Sequence, residues 1–167
     1  MRVKGKTMKI DTFIKGFDTA KDREVYVSGH LKTRYIDYEE KIVLCKSIIK
    51  NPMFKKVNGK DLFYIDSPMR WVFFTFSVIT SYTDIDMPDD GVQRMRVFNE
   101  IEKHDVMTVI SKVLGNEYLS LQSILNVMVE DEIRNNDLRA MLETKIEALS
   151  LVSSKIPWEK FIGESTN

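Results

Sequence analysis

Asp66-Ser67-Pro68-Met69-Arg70-Trp71-Val72-Phe73-Phe74-Thr75-Phe76-Ser77-Val78-Ile79-Thr80-Ser81-Tyr82 decides the fold class of this chain. Asp66 or Ser67 suits a helix cap, because a short side-chain oxygen can accept from the free amides of a first turn. Pro68 follows at a first-turn position, where its missing N–H costs nothing. From Trp71 to Ile79 the run is apolar nearly all round, the pattern of a helix buried on most sides. A membrane span is a poor fit. Pro68 to Tyr82 is only 15 residues, roughly 22 Å at 1.5 Å per residue, against ~30 Å of hydrocarbon. Thr75, Ser77 and Thr80 weaken it further. The aromatic and β-branched content makes a strand the competing reading.

Helical signals extend to both sides of this segment. Upstream, Asp37 with Glu40 three residues later forms an Asp variant of the capping box. Ile42, Cys45 and Ile49 then share one face, with Ile48 beside them, and the helix is expected to stop near Lys50, before Asn51-Pro52. Residues 51–65 read as a loop with a turn at Asn58-Gly59, and short strands from Met53 to Val57 and from Leu62 to Ile65 are possible around it. Downstream, residues 83–92 form an acidic loop. A helix is expected around Arg94–Lys103, carrying Val97, Phe98 and Ile101. A short one capped by Asp105 should follow and end at Gly115. A longer one starts at Asn116 or Glu117 and carries Leu121, Ile124, Leu125, Met128 and Ile133. Asn135-Asn136-Asp137 reads as a break, so the next helix, Leu138 to about Ser154, would be an antiparallel neighbour. The tail from Pro157 offers Trp158 and Phe161 for docking.

Residues 1–36 read differently. Met8, Ile10 and Thr12 alternate with polar residues, as do Val25, Val27 and Gly29, around a turn-like Asp18-Thr19-Ala20-Lys21-Asp22. The expectation is a β-hairpin or extended arm over 1–36 and a helical domain over 37–167. The fold class is therefore mainly α: a compact bundle of about five to six helices around a buried apolar helix, with an N-terminal hairpin or arm.

Charge adds to this division. The chain has 167 residues, with 25 Lys and Arg against 25 Asp and Glu. Residues 1–60 hold 15 basic and 7 acidic side chains, a net of +8, and residues 61–167 hold 10 and 18, a net of −8. A neutral total argues against a dedicated nucleic-acid binder. Within residues 1–36 there are 9 Lys and Arg against 4 Asp and Glu. Lys4, Lys6, Lys9, Lys15 and Arg34 interleave there with Phe13, Phe17 and Tyr26. These eight are the candidate partner-binding residues. Basic residues among aromatics occur in single-strand binders, but a hairpin with its aromatics on the core and lysines along an edge explains them as well.

Catalytic chemistry finds no foothold. Cys45, the single cysteine, lies in an apolar run and reads as a buried thiol, and no secretory leader is legible. The two histidines, His30 and His104, belong to no zinc spacing. Glu100 and His104 sit at i and i+4 without a visible third ligand, so they read as a surface pair. Asp84 and Asp86 begin a calcium-loop spacing that fails, because Gly91 falls late and no Glu closes it at position 95. Glu130-Asp131-Glu132 points to different sides of a helix. No phosphate loop or nucleophile elbow occurs. The reading is a non-enzyme with no cofactor and no metal.

Two stretches carry a resemblance. Tyr35-Ile36-Asp37-Tyr38-Glu39-Glu40-Lys41 leads into a helix. Ser67-Pro68-Met69-Arg70 opens the apolar helix, which closes with Tyr82-Thr83-Asp84-Ile85. Together with the later Asn116-Glu117-Tyr118, they resemble small helical structural and assembly proteins of tailed bacteriophages, over residues 30–150. The resemblance implies a virion structural or assembly protein, in the particle or the host cytoplasm, bound to other virion proteins or to copies of itself as a homo-oligomer. A regulator that binds and inhibits a host protein, and a weak nucleic-acid-binding module using the basic arm, are the alternatives. On the first view the arm grips a neighbour, so removing residues 1–30 should leave the helical body folded.

Overall fold

The computed structural model describes residues 8–57, 60–64 and 66–155. In chain order the elements are β1 (Met8–Lys9), α1 (Ile10–Thr19), α2 (Arg23–Gly29), α3 (Tyr38–Met53), β2 (Phe54–Val57), β3 (Lys60–Phe63), α4 (Ser67–Tyr82), β4 (Ile85–Asp86), α5 (Gly91–Lys103), α6 (Val106–Leu114) and α7 (Asn116–Lys155). The protein is mainly α, with seven helices among the described residues. It divides into two units, one running to Met128 and the other beginning at Val129.

In the first unit α4 begins as its sequence directs. The Asp66 carboxylate accepts from the Met69 N–H at 3.0 Å, with Pro68 in the first turn. Val72, Phe74, Thr75, Val78, Ile79 and Tyr82 are buried. Trp71 and Thr80 reach the surface, so the helix is covered on one broad side and not all round. It packs on α3, whose Cys45, Ile48 and Ile49 are buried. α3 continues to Met53, past the expected stop at Lys50, with Pro52 in its last turn. β2 and β3 pair antiparallel, Phe54 opposite Phe63 and Val57 opposite Lys60. The turn expected at Asn58-Gly59 lies outside the described residues, as does the Trp158 and Phe161 tail.

The expected N-terminal hairpin is replaced by helices. Ile10, Phe13, Ile14 and Phe17 recur at i, i+3, i+4 and i+7, and all four are buried on one face of α1. That 3.6-residue period covers more apolar surface than the short alternation through Met8, Ile10 and Thr12, so it wins. Asp22 then caps α2, accepting from the Glu24 and Val25 N–H groups at 2.9 and 3.0 Å. What survives as strand is Met8–Lys9, and it pairs parallel with Ile85–Asp86. The stretch after α4 is held from both sides: Met8 N–H donates to the Asp84 carbonyl, and Asp84 N–H donates to the His30 carbonyl.

α1 lies against α2 and α5, and α2 lies against α6. The Tyr26 ring seals the α1–α2 contact. A Cβ on Gly16 would lie 2.2 Å from its hydroxyl oxygen, so a larger residue there would have to displace the ring. Gly115, between α6 and α7, has φ +56° and ψ −123°, a conformation that L side chains avoid. Asp105 precedes α6 as expected, but its backbone is left-handed and its side chain does not cap the helix.

The break expected at Asn135-Asn136-Asp137 does not form. α7 runs through it as one helix, and Asn136 Nδ2 donates back to the Glu132 carbonyl at 2.8 Å. Asn and Asp in mid-helix cost less than about 1 kcal/mol each, whereas only Pro at ~3 stops a helix outright. Residues 116–155 contain neither Pro nor Gly. The two antiparallel helices of the sequence reading are thus one continuous helix.

Candidate interaction surface

The polar groups of the first unit are largely engaged with one another. Glu117, in the first turn of α7, accepts from Lys41 Nζ at 2.7 Å, from the Tyr82 hydroxyl at 2.8 Å and from the Ile36 N–H at 3.2 Å. Lys41 is almost wholly buried and also lies 5.0 Å from the Tyr35 ring centroid. Burial pushes the Glu117 carboxyl up, but its three donors outweigh that and hold it below the usual carboxylate range. Tyr82 moves the other way: burial and then its bond to Glu117 raise its phenol. This network joins α3, α4 and the start of α7.

Both histidines hold elements together. His30 Nδ1 lies 3.2 Å from Asp84. His104 Nδ1 lies 2.8 Å from Asp18 on α1, and its Nε2 lies 3.4 Å from Glu100. The acidic loop is occupied too. Asp90 caps α5 through the Gln93 N–H, and Arg94 reaches Asp89 and the Pro88 carbonyl. Among the described residues no three His, Cys, Asp or Glu side chains converge on a metal-sized position. No helix among them is long and apolar enough to cross a membrane.

Cys45 is fully buried, its Sγ 3.9 Å from the Leu121 carbonyl, and burial pushes its thiol up to about 11. The thiolate is the reactive form. Native protein is therefore expected to react with an aromatic disulfide reagent at neutral pH at least ~100-fold more slowly than the denatured chain. Equal rates would place the thiol at the surface.

Of the eight residues singled out in the N-terminal region, the six described ones do not form a surface together. Phe13 and Phe17 are fully buried. Arg23 covers the Phe17 ring at 4.6 Å. Tyr26 is partly buried, its ring tilted against Phe13 and edge-on to His30, and its hydroxyl donates to the Phe13 carbonyl. Their aromatic faces are spent on the core of α1 and α2 and cannot stack on a partner. Lys9, Lys15 and Arg34 are exposed. Lys4 and Lys6 lie outside the described residues.

The apolar surface left over lies elsewhere. In the first unit Tyr38, Ile42, Ile124, Val127 and Met128 line a groove of about 350 Å³, with Tyr38 and Val127 more than half exposed. In the second unit every residue from 137 to 151 is exposed. Leu138, Met141, Leu142, Ile146 and Leu149, at helical spacings of three and four, are 46–69% exposed. Such a stripe is ordinarily the buried face of an amphipathic helix. Sequence reasoning placed these residues on a separate helix lying antiparallel to its neighbour, because it broke α7 at Asn135-Asn136-Asp137. The lack of any Pro or Gly across residues 116–155 was the signal that could have prevented it.

No protein-family model, curated protein or solved structure matches the chain at a significant level. The surface has to be interpreted from its own chemistry.

Proposed function

We propose that this is a non-catalytic protein that works through protein–protein contacts, as a structural or assembly component of a phage particle. The observation that carries the contact reading is the stripe Leu138, Met141, Leu142, Ile146 and Leu149, which no described residue of the second unit covers. A helix in water draws most of its stability from packing an amphipathic face, and a contiguous exposed apolar patch marks an interaction site. The magnitudes agree. Fully covering one large aliphatic side chain is worth about 1.5–3 kcal/mol. Five half-exposed ones therefore offer several kcal/mol, of the same order as the ~4–15 kcal/mol that association costs. The particle context comes from the likeness of the α3, α4 and α7 starts to phage structural proteins. The engagement of both histidines and the burial of Cys45 support the non-catalytic reading.

The binding surface proposed here is α7, not the N-terminal arm. Leu142→Glu with Ile146→Glu is expected to lower recovery of the chain in purified particles by about tenfold or more. Mass spectrometry reads the amount, and an unchanged Trp71 fluorescence melt, recorded in a Trp158→Phe background, shows that the first unit still folds. Undiminished recovery of the doubly substituted chain would remove the stripe as the contact surface.

A further inference from the structure

We propose that a pocket at the turn between α5 and α6 binds a primary alkylammonium group. The site lies wholly within the first unit and is separate from the α7 stripe.

The pocket has a volume of about 160 Å³, and its walls include Trp71 of α4, Glu102 of α5, Asp105 of the turn, Met107 of α6 and Tyr118 of α7. The Trp71 ring is stacked on Phe74, and its Nε1 donates to Glu102 at 3.2 Å. That bond fixes the indole and holds a carboxylate beside it. Asp105 has a left-handed backbone and does not cap α6, so its carboxylate is left uncommitted. Among the described residues no basic group pairs with Glu102 or Asp105. Two acids therefore share the pocket with two aromatic rings and have no counter-ion. Tyr118 is a second, independent observation. It is only 8% exposed, and a tyrosine so buried normally finds a partner for its hydroxyl. This one has no hydrogen bond among the described residues, yet it is not a sealed atom, since Thr75 Oγ1 is the fully buried side-chain atom left unpaired there. The hydroxyl thus opens onto the pocket that Tyr118 lines. Burial, and then the Glu102 charge, raise its phenol, so it is a neutral hydroxyl able to accept.

The lining selects the class of ligand. A primary ammonium carries three N–H donors and no acceptor, and Glu102, Asp105 and Tyr118 supply acceptors of matching kind. Aromatic faces attract a cation, and an alkyl stem can lie along Trp71 and Met107. An anion would meet two carboxylates. A neutral apolar molecule would cover both acids without pairing either, which is costly. A quaternary ammonium has no N–H for the Tyr118 hydroxyl. A metal ion finds no third ligand, because no three His, Cys, Asp or Glu side chains converge among the described residues.

The test titrates the full chain, carrying Trp158→Phe, with n-butylammonium chloride in amine-free phosphate buffer and follows Trp71 emission. A saturable change is expected, with half-saturation at about 1–30 mM for so small a ligand, and it should weaken as sodium chloride is added. n-Butanol, the same shape without the charge, and tetramethylammonium, a charge without N–H donors, should each bind at least tenfold more weakly. Glu102→Gln with Asp105→Asn keeps an acceptor for Trp71 Nε1 and a residue type that tolerates a left-handed backbone. It should cost the protein at least tenfold in butylammonium affinity while its thermal melt stays unchanged. Tyr118→Phe should cost about threefold or more. A free amine and a lysine side chain of another protein present the same group. Nα-acetyl-lysine amide binding as tightly as butylammonium would assign the pocket to a protein lysine, and binding of butylammonium alone would assign it to a free amine. No saturation by ~100 mM, equal binding of butanol or tetramethylammonium, or undiminished affinity in the folded Glu102→Gln with Asp105→Asn protein would overturn the proposal.

Discussion

Removal of residues 1–30 is expected to abolish the cooperative unfolding transition of the first unit. The deleted stretch contains Ile10, Phe13, Ile14, Phe17 and Val27, which are 0–7% exposed. A single buried Phe→Ala change costs about 3–5 kcal/mol, and a whole domain is stable by only about 5–15 kcal/mol. Losing five such side chains together exceeds that margin. Strand β4 would also lose its partner Met8–Lys9, and the Asp84 N–H would lose the His30 carbonyl. Near-ultraviolet circular dichroism and a thermal melt check this. A sharp melt with native aromatic signals in the truncated chain would restore the idea of a dispensable arm. Phe17→Ala is the milder version, expected to lower stability by about 3–5 kcal/mol in urea. Lys15→Ala, two residues earlier on the exposed side, should stay within about 0.5 kcal/mol.

The second large effect is expected at Lys41. Its side chain is 5% exposed and that of Glu117 11%. Lys41→Ala leaves a carboxylate in a largely dry site with only the Tyr82 hydroxyl and the Ile36 N–H to satisfy it. Breaking a buried pair from one side costs about 3–5 kcal/mol. Lys41→Met with Glu117→Gln removes both charges while keeping volume and an acceptor for Tyr82 and Ile36. It is expected to recover at least half of that loss, a coupling of about 1–3 kcal/mol. Urea unfolding of Lys41→Met alone, Glu117→Gln alone and the double closes the cycle. A double variant as unstable as the sum of the singles would show that the two groups do not interact.

The same pair gives the protein a pH dependence of known sign. The Glu117 carboxyl is depressed in the fold, so the folded state binds its proton less readily than the unfolded chain. Its stabilisation is fully present above the ordinary Glu range, about pH 4.3. It is lost as pH falls through the lower folded value. Glu117→Gln should accordingly flatten the acid limb of the stability curve below about pH 4.5. An unchanged acid limb would place the responsible carboxylates elsewhere.

Much of the helical organisation was legible from residue types alone. Asp66 and Pro68 marked the start of α4, Gly115 marked the end of α6, and the burial of Cys45 was readable from its apolar neighbours. These are local signals, decided within a turn or two of the chain by capping oxygens, backbone φ and side-chain period. The failures have a common form. The Ile10, Phe13, Ile14 and Phe17 set was masked by a short alternation, and Asn135-Asn136-Asp137 was given more power to stop a helix than such residues have. Competing periods and weak breakers are settled by which arrangement buries more surface, and that sum includes distant partners. The pairing of Lys41 with Glu117, 76 positions apart, had no local signal at all.

What the sequence determined by itself is the class of the fold and the positions of most helix starts, because capping and periodicity act over a few residues. Only the tertiary structure decided that Phe13 and Phe17 are core and that Leu138 to Leu149 are surface. Both outcomes depend on whether another part of the chain arrives to cover an apolar face: α2 and its neighbours do so for α1, and no described residue of the second unit does so for Leu138 to Leu149.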